Sequence, residues 1–368
     1  MSRFSNLGHR LYQGEISFDF VGRRKLWYSI SGVIVLVAAV GLAMGLKLGI
    51  EFKGGSVYTV AKPGLTVSQA QDAVDKIVHS HPLVQDVDNG KKIRIQVSSE
   101  EQVSSSVFTD KLSKEIGVPV AEIDTQVIGP SWGEQISNKA LTGLIIFMIL
   151  VTVYLAIAFE WRMAVAALVA LIHDLLITIG VYALVGFEVT PGTVIGFLTI
   201  LGYSLYDTVV VFDTVKENAK GLTKQNKITY SEAANAGLNQ TLVRSLNTTV
   251  VALLPVAALL FIGGGLLGAG TLNDISLALF IGLAAGAYSS ICVATPLLAQ
   301  LKEEQPEMKA LAKRVAQRRA AEAKAAAAAA EAPEGEEIAD GDLPAGMVGQ
   351  RGRAAGTSRA KGRPSTKR

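Results

Sequence analysis

Cysteine is nearly missing from this chain. Its one occurrence, Cys292, lies inside an apolar run. No intrachain disulfide can form, and a lone buried thiol reads as packing. Histidine is scarce too: there are four, and His9, His79 and His81 fall outside the apolar runs, leaving no cluster for a metal ion. No Gly-x-Ser-x-Gly or His-Glu-x-x-His pattern is present, so no hydrolase signature accompanies the intramembrane polar residues. Charge is thin, with 18% charged residues against 49% hydrophobic and a mean hydropathy of +0.35. That balance excludes a soluble protein of 368 residues.

What is present is long apolar blocks. A membrane span needs about 20 predominantly apolar residues, and six blocks qualify: 26–46, 139–159, 163–186, 191–213, 244–268 and 275–298. Arg10, Arg23, Arg24 and Lys25 precede the first, which puts residues 1–25 in the cytoplasm by the positive-inside rule. The remaining loops follow suit. Arg162 and Lys216, Lys220, Lys224 and Lys227 fall inside, whereas 186–190 and 270–274 fall outside with no Lys or Arg. The first block is too long for a signal-peptide core and is followed by Lys47 rather than a clear cleavage site.

Residues 47–138 are polar enough to form a small extracytoplasmic domain. The stretch 50–61 reads as a strand rich in β-branched and aromatic residues. Residues 66–80 read as a helix, with Ser68 and Gln71 spaced as a capping box. A hairpin follows through Asn89-Gly90, joining 84–87 to 93–97. A helix over 99–116 and a strand over 122–128 complete a βαββαβ order, the ferredoxin-like pattern. The fold class expected is therefore a polytopic α-helical membrane protein with a small α+β domain between its first two spans.

Beyond the spans, 214–243 is a cytoplasmic loop whose segment 231–242 is mildly amphipathic and reads as lying along the membrane surface. The tail, 299–368, begins with an Ala-rich stretch. From Arg351 onward it carries seven basic and no acidic residues, a composition expected to be disordered and either solvated or attracted to anionic lipid or another acidic surface.

Asp207 carries most of the functional weight, because it lies in the apolar run 195–212. An ionisable residue there marks a functional site with a partner to be found. Arg244, at the start of the next apolar run, is the best opposite charge. Two readings of the pair stay open: a fixed ion pair joining helices, or a proton-loading switch. Asp213 falls at the cytoplasmic mouth. His173-Asp174, mid-span, reads either as a proton shuttle or as a hydrogen bond holding helices. Gly54 and Gly55 where the chain enters the outer domain, and Gly129, Pro130 and Gly133 where it leaves, read as hinge-like junctions or as ordinary loop punctuation.

Several segments together resemble the SecD/SecF family of the RND superfamily: IEFKGG (50–55), VIGPSWGEQI (127–136), FEWRMAVAALVALIHDLLITIG (159–180), LGYSLYDTVVVFDTVKEN (201–218), NQTLVRSLNTT (239–249), FIGGG (261–265) and AYSSICVATPLL (287–298). Their order covers residues 20–300. The resemblance implies six helices of RND type and a bacterial cell-membrane location with both termini cytoplasmic. It also implies a sister subunit, SecD, and use of the proton-motive force in late preprotein translocation through SecYEG. SecA, YajC and YidC would be further partners, the proton the coupling ion, and no cofactor or catalytic residue is called for. It assigns the family's proton-pathway acid to Asp207 and its essential arginine to Arg244. One position departs: Tyr206 stands where the family usually has Asn. A lone exporter of lipids or small molecules and a non-transporting assembly factor stay open as alternatives.

Overall fold

A computed structural model describes residues 17–78, 82–87, 91–98, 104–266 and 270–331. Among these residues, six helices are long and apolar enough to cross a membrane. They comprise α1 (Arg24–Met44), α5 (Pro130–Ala158), α6 (Trp161–Val185), α7 (Pro191–Asn218), α8 (Tyr230–Ala258) with a π-helical continuation at Leu259–Leu266, and α9 (Gly270–Ser289). The last passes through a π-helical segment, Ser290–Ala294, into α10 (Thr295–Glu303). A final helix, α11, spans Pro306–Glu331.

Small residues let these helices approach closely, as membrane interfaces require where apolar contact alone gives no net drive. On α7 and α9 the matching rows each step by four residues. Gly196 faces Ala278, Ile200 faces Gly282, and Ser204 faces Gly286. A Cβ on Gly282 would lie 2.1 Å from the Ile200 side chain. That row continues down α7 to Asp207. Gly180 of α6 backs onto Ala38 of α1 in the same manner, and Gly237 of α8 onto Val215 of α7.

Between α1 and α5 the chain builds a four-stranded antiparallel sheet of β2 (Gly55–Val60), β3 (Leu83–Val87), β4 (Lys92–Ser98) and β5 (Ile123–Ile128), in spatial order β3-β4-β2-β5. Helices α3 (Val67–Asp75) and α4 (Ser105–Ile116) cover one face. Its core includes Val60, Ile93, Ile95 and Leu112, with Tyr58 and Phe108 stacked at 4.4 Å between ring centres. Ile93, Ile95 and Val97 point into this core, so by strand alternation Arg94 and Gln96 occupy the other face. A two-residue strand, β1 (Lys47–Leu48), pairs in parallel with β6 (Glu188–Val189) of the loop between α6 and α7.

Five local expectations need correction or qualification. Residues 50–53 are not strand. Ile50–Lys53 wind one helical turn, α2, closed by the Gly54 amide on the Ile50 carbonyl at 2.7 Å and ended by Gly54 at φ +78°. Tertiary contact decides over β-propensity here, because the turn buries Ile50 and presses Phe52 toward α5. The capping box at α3 belongs to Thr66 and Gln69, not Ser68 and Gln71. Residues 231–242 belong to α8 itself and bury Ala233, Ala234, Gly237 and Leu238 against the bundle, so they do not form a separate surface helix. The Asn89-Gly90 turn, and the tail beyond residue 331, lie outside the described residues. Helix α5 also starts well before the apolar block, at Pro130, which takes the first helical position where its missing N–H is harmless.

Candidate functional site: a buried carboxylate at a π-helical turn

Asp207 sits on the inward face of α7, buried at 7% exposure. Two hydroxyls converge on its Oδ2. Ser245 of α8 donates at 2.7 Å, and Ser290 donates from the π-helical segment after α9. Insertions of this kind recur at functional sites. Here the widened turn carries Ser290 into the space between α7 and α8.

One turn earlier on α7, Ser204 donates to Oδ2 of Asp174 on α6 at 2.5 Å. Oδ1 of Asp174 lies 3.3 Å from Nδ1 of His173. The other ring nitrogen of His173 is buried without a hydrogen-bond partner among the described residues, and the ring stacks on Tyr288 at 6.0 Å. The Tyr288 hydroxyl meets Ser31 of α1 at 2.8 Å. Ser204 and Asp207, three residues apart, share one helical face. Polar groups from α1, α6, α7, α8 and α9 therefore make two runs on neighbouring turns of α7, one from Ser31 through Tyr288, His173 and Asp174 to Ser204, the other from Asp207 to Ser245 and Ser290.

Arg244 is placed differently from the sequence reading. No ion pair joins it to Asp207. Arg244 is exposed, and its guanidinium donates to the Tyr206 hydroxyl at 3.4 Å. The cause is helical phase, since adjacent residues point about 100° apart on a 3.6-residue turn. Asp207 with Ser245 makes an inner rung between α7 and α8, and Tyr206 with Arg244 an outer one. Asp213 is exposed further along α7 and pairs with neither Lys216 nor Arg244; Lys216 instead sits over the Phe159 ring at 5.7 Å. Tyr203 adds a cross-link by donating to the Thr248 carbonyl at 3.1 Å.

The glycine motifs meet each other. Gly129 is the extended N-cap of α5, with Pro130 next. Gly133, one turn in, lies so close to α2 that a Cβ there would fall 2.2 Å from the Phe52 carbonyl oxygen. The chain segments that lead into and out of the outer domain are thus locked together, with Gly55 and Ile128 paired across β2 and β5.

Ser245 and Ser290 are site residues that the sequence reading did not single out. Both lie in the quoted segments NQTLVRSLNTT and AYSSICVATPLL, but a serine in an apolar helix carries no charge to draw attention.

Comparison with known proteins agrees with this architecture. A family model described as "Protein export membrane protein SecD/SecF, C-terminal" matches residues 108–304, and a SecD/SecF GG motif matches residues 41–61. The protein translocase subunit SecF of Streptomyces coelicolor is 57% identical over the whole of both chains. That of Mycobacterium tuberculosis is 41% identical, covering 86% of this chain and 75% of the relative. The crystal structure of SecDF from Thermus thermophilus, described as a translocon-associated membrane protein, superposes with a TM-score of 0.66 at 29% identity. That match takes in 78% of this chain and 39% of the SecDF chain. Family model, full-length relatives and shared fold agree: this membrane-spanning chain belongs to the SecD/SecF family of protein-export membrane proteins.

Proposed function

We propose that the chain is the SecF half of a SecD–SecF pair that uses the proton-motive force to promote late steps of preprotein translocation through SecYEG. The observation that carries this reading is Asp207, a buried carboxylate held by hydroxyls from two other helices, one of them on a π-helical turn. Loading a proton on Asp207 turns an acceptor into a donor at that oxygen or its neighbour. A proton on Oδ2 forces Ser245 or Ser290 to rotate its hydroxyl or part from it, and a proton on Oδ1 weakens both donations, because Oδ2 loses its negative charge. A rearrangement at one atom thereby bears on the relative positions of α7, α8 and the turn after α9. A unit charge crossing the membrane potential supplies about 2.3 kcal/mol per 100 mV, enough to bias two helix arrangements appreciably.

Arg244 and Tyr206 supply the case for a partner. A guanidinium exposed on a membrane helix is costly unless protein or water covers it. The outer rung is the surface we assign to SecD, a reading supported by the Thermus thermophilus relative, named as one SecDF chain, of which this chain matches 40%. In this reading the outer domain is a ferredoxin-like unit on the extracytoplasmic side of the bacterial cell membrane and both termini are cytoplasmic. SecA, YajC and YidC act in the same assembly. The chain couples protons without a cofactor and without being an enzyme.

The test is Asp207→Asn in the SecD-bound protein, with export of a reporter preprotein followed in vesicles with and without a proton gradient. The gradient's contribution should vanish while the complex stays intact. Retained gradient dependence in a folded, SecD-bound variant would refute the proton role.

A further inference from the structure

The described structure has a cavity of about 620 Å³ where the exposed face of the sheet looks onto the outer ends of the spans. Its walls come from separate elements: Glu51 on α2, Asp86 on β3, Arg94 and Gln96 on β4, Glu188 on β6 and Asp274 at the start of α9. Among the described residues of the wall acids outnumber bases, with Arg94 the one base and 3.8 Å from Glu51, beyond hydrogen-bond reach.

Two acceptors on this wall accept no hydrogen bond from any described residue. Gln96 is 7% exposed although it lies on the face of the sheet away from its core, and its Oε1 has no partner among the described residues. Glu51 Oε2 is likewise buried and unpaired. A buried acceptor without a donor is costly, so each marks a place for a donor to arrive. Asp274 is partly satisfied, since its Oδ2 accepts from Thr190 at 2.9 Å. Among the described residues no three His, Cys, Asp or Glu side chains converge as a metal-binding set. The acceptors are spread over several walls, which suits a cation that carries several N–H groups instead of a point charge.

We infer that this cavity binds a donor-rich organic cation, an ammonium or guanidinium group. Its source is either a Lys or Arg side chain of an extended polypeptide or a free polyamine. Only the naming of that polypeptide as a passing preprotein rests on the export reading above; the chemistry of the cavity does not. Binding should strengthen as pH rises. Burial, with Glu51 and Asp274 nearby, pushes Glu188 up to about 7, against the opposing pull of Arg94 and Lys47. Asp86 and the Tyr182 hydroxyl, the latter donating to the Asp274 carbonyl at 3.1 Å, are the other titratable groups on the wall.

The experiment is calorimetric titration of the full chain with its SecD partner in uncharged-lipid nanodiscs, at pH 6 and pH 8. Three probes are used: a flexible Gly/Ser peptide carrying two arginines, the same peptide with glutamines, and spermidine. The arginine peptide, spermidine or both should bind about tenfold or more tighter than the glutamine peptide, the scale of one charge-assisted hydrogen bond. Which of the two binds identifies the source. Glu51→Gln and Glu188→Gln should each weaken that binding, and Glu188→Gln should flatten its rise between pH 6 and pH 8. Arg94→Gln should tighten it, an outcome that misfolding cannot imitate. Equal binding of all three probes, or no change in any variant, would overturn the inference. Export by the Asp207→Asn variant is read in a separate assay, so either proposal can fail alone.

Discussion

Ser245 donates its hydroxyl to Asp207 at 2.7 Å, while Arg244, the residue before it, reaches past the same acid to Tyr206 at 3.4 Å. The two contacts run side by side between α7 and α8, one turned into the bundle and one out of it. Charge and hydroxyl have exchanged the roles that a charge-matching argument assigns them. The acid is held by neutral donors, and the arginine is left on the surface for something else to meet.

Removing either hydroxyl tests the inner rung. Ser245→Ala and Ser290→Ala should each lower stability in detergent by about 0.6 kcal/mol, typical of an interhelical hydrogen bond in a membrane protein. Because both serve one oxygen, the double variant should depart from additivity. Unfolding curves for the two single variants, the double variant and the same set in an Asp207→Asn background make the comparison. Serine effects that persist undiminished without the carboxylate would show that the hydroxyls serve something other than Asp207.

The outer rung should behave otherwise. Arg244→Met is expected to leave the isolated subunit's stability within about 0.5 kcal/mol, as for a surface substitution, yet to weaken SecD co-purification and abolish gradient-driven export. Tyr206→Phe, which removes one long hydrogen bond, should be milder in both assays. If Arg244→Met unfolds the isolated subunit, its role is internal and the interface reading fails.

Gly133 is a steric prediction. An alanine there would collide with the Phe52 carbonyl oxygen, a backbone atom with little room to move. Gly133→Ala should cost about 1–3 kcal/mol. Gly129→Ala is the control. Its Cβ would meet nothing closer than the Ser131 hydroxyl at 3.9 Å, and it should be nearly neutral. Thermal unfolding of the pair gives the answer, and equal losses would remove the motif-locking explanation.

Glu188 makes a pH prediction with a definite sign. It lies in the loop between α6 and α7, where burial and neighbouring carboxylates raise it to about 7 from an ordinary 4.5. Between those values the folded chain holds a proton that the unfolded chain releases, so this group's contribution to stability falls as pH rises from 4.5 through 7. Glu188→Gln should flatten that part of the stability–pH curve. An unchanged slope would mean that Glu188 titrates as a solvated acid.

The sequence disclosed the large features because they are long and redundant. Six apolar blocks announce themselves through some twenty residues apiece, and the alternation of Ile93, Ile95 and Val97 marks a half-buried strand without any tertiary information. Asp207 stood out by charge. What stayed hidden depends on phase and on contact across the chain. Whether Arg244 or Ser245 meets Asp207 is a matter of about 100° of rotation on α8, which a one-dimensional pattern does not fix to within one residue. The π-helical turn at Ser290–Ala294 has no composition signature, and Ser290 is brought to Asp207 by a contact spanning 83 positions. Ile50–Lys53 misled because four residues of strand-like composition are too few to outweigh the packing of Ile50 and Phe52. Thr66 and Ser68 both satisfy the capping pattern, and only the structure tells which amide is capped.

The pairing of Gly55 with Ile128, and the lock of Gly133 on Phe52, have a mechanical meaning. Both covalent connections of the outer domain leave from the same two adjacent strands, so the domain is mounted on a single root at one side of its sheet. Strand β3, two strands away from β2, stands about 10 Å from that root at ordinary strand spacing. A load at this free edge acts as torque about the root, and a tilt of about 20° would swing the edge by roughly 3 Å. Because Leu83 and Asp86 on that edge line the cavity against the bundle, the lever's free end and the cavity's wall are one object. Rocking the domain and resizing the cavity are the same motion.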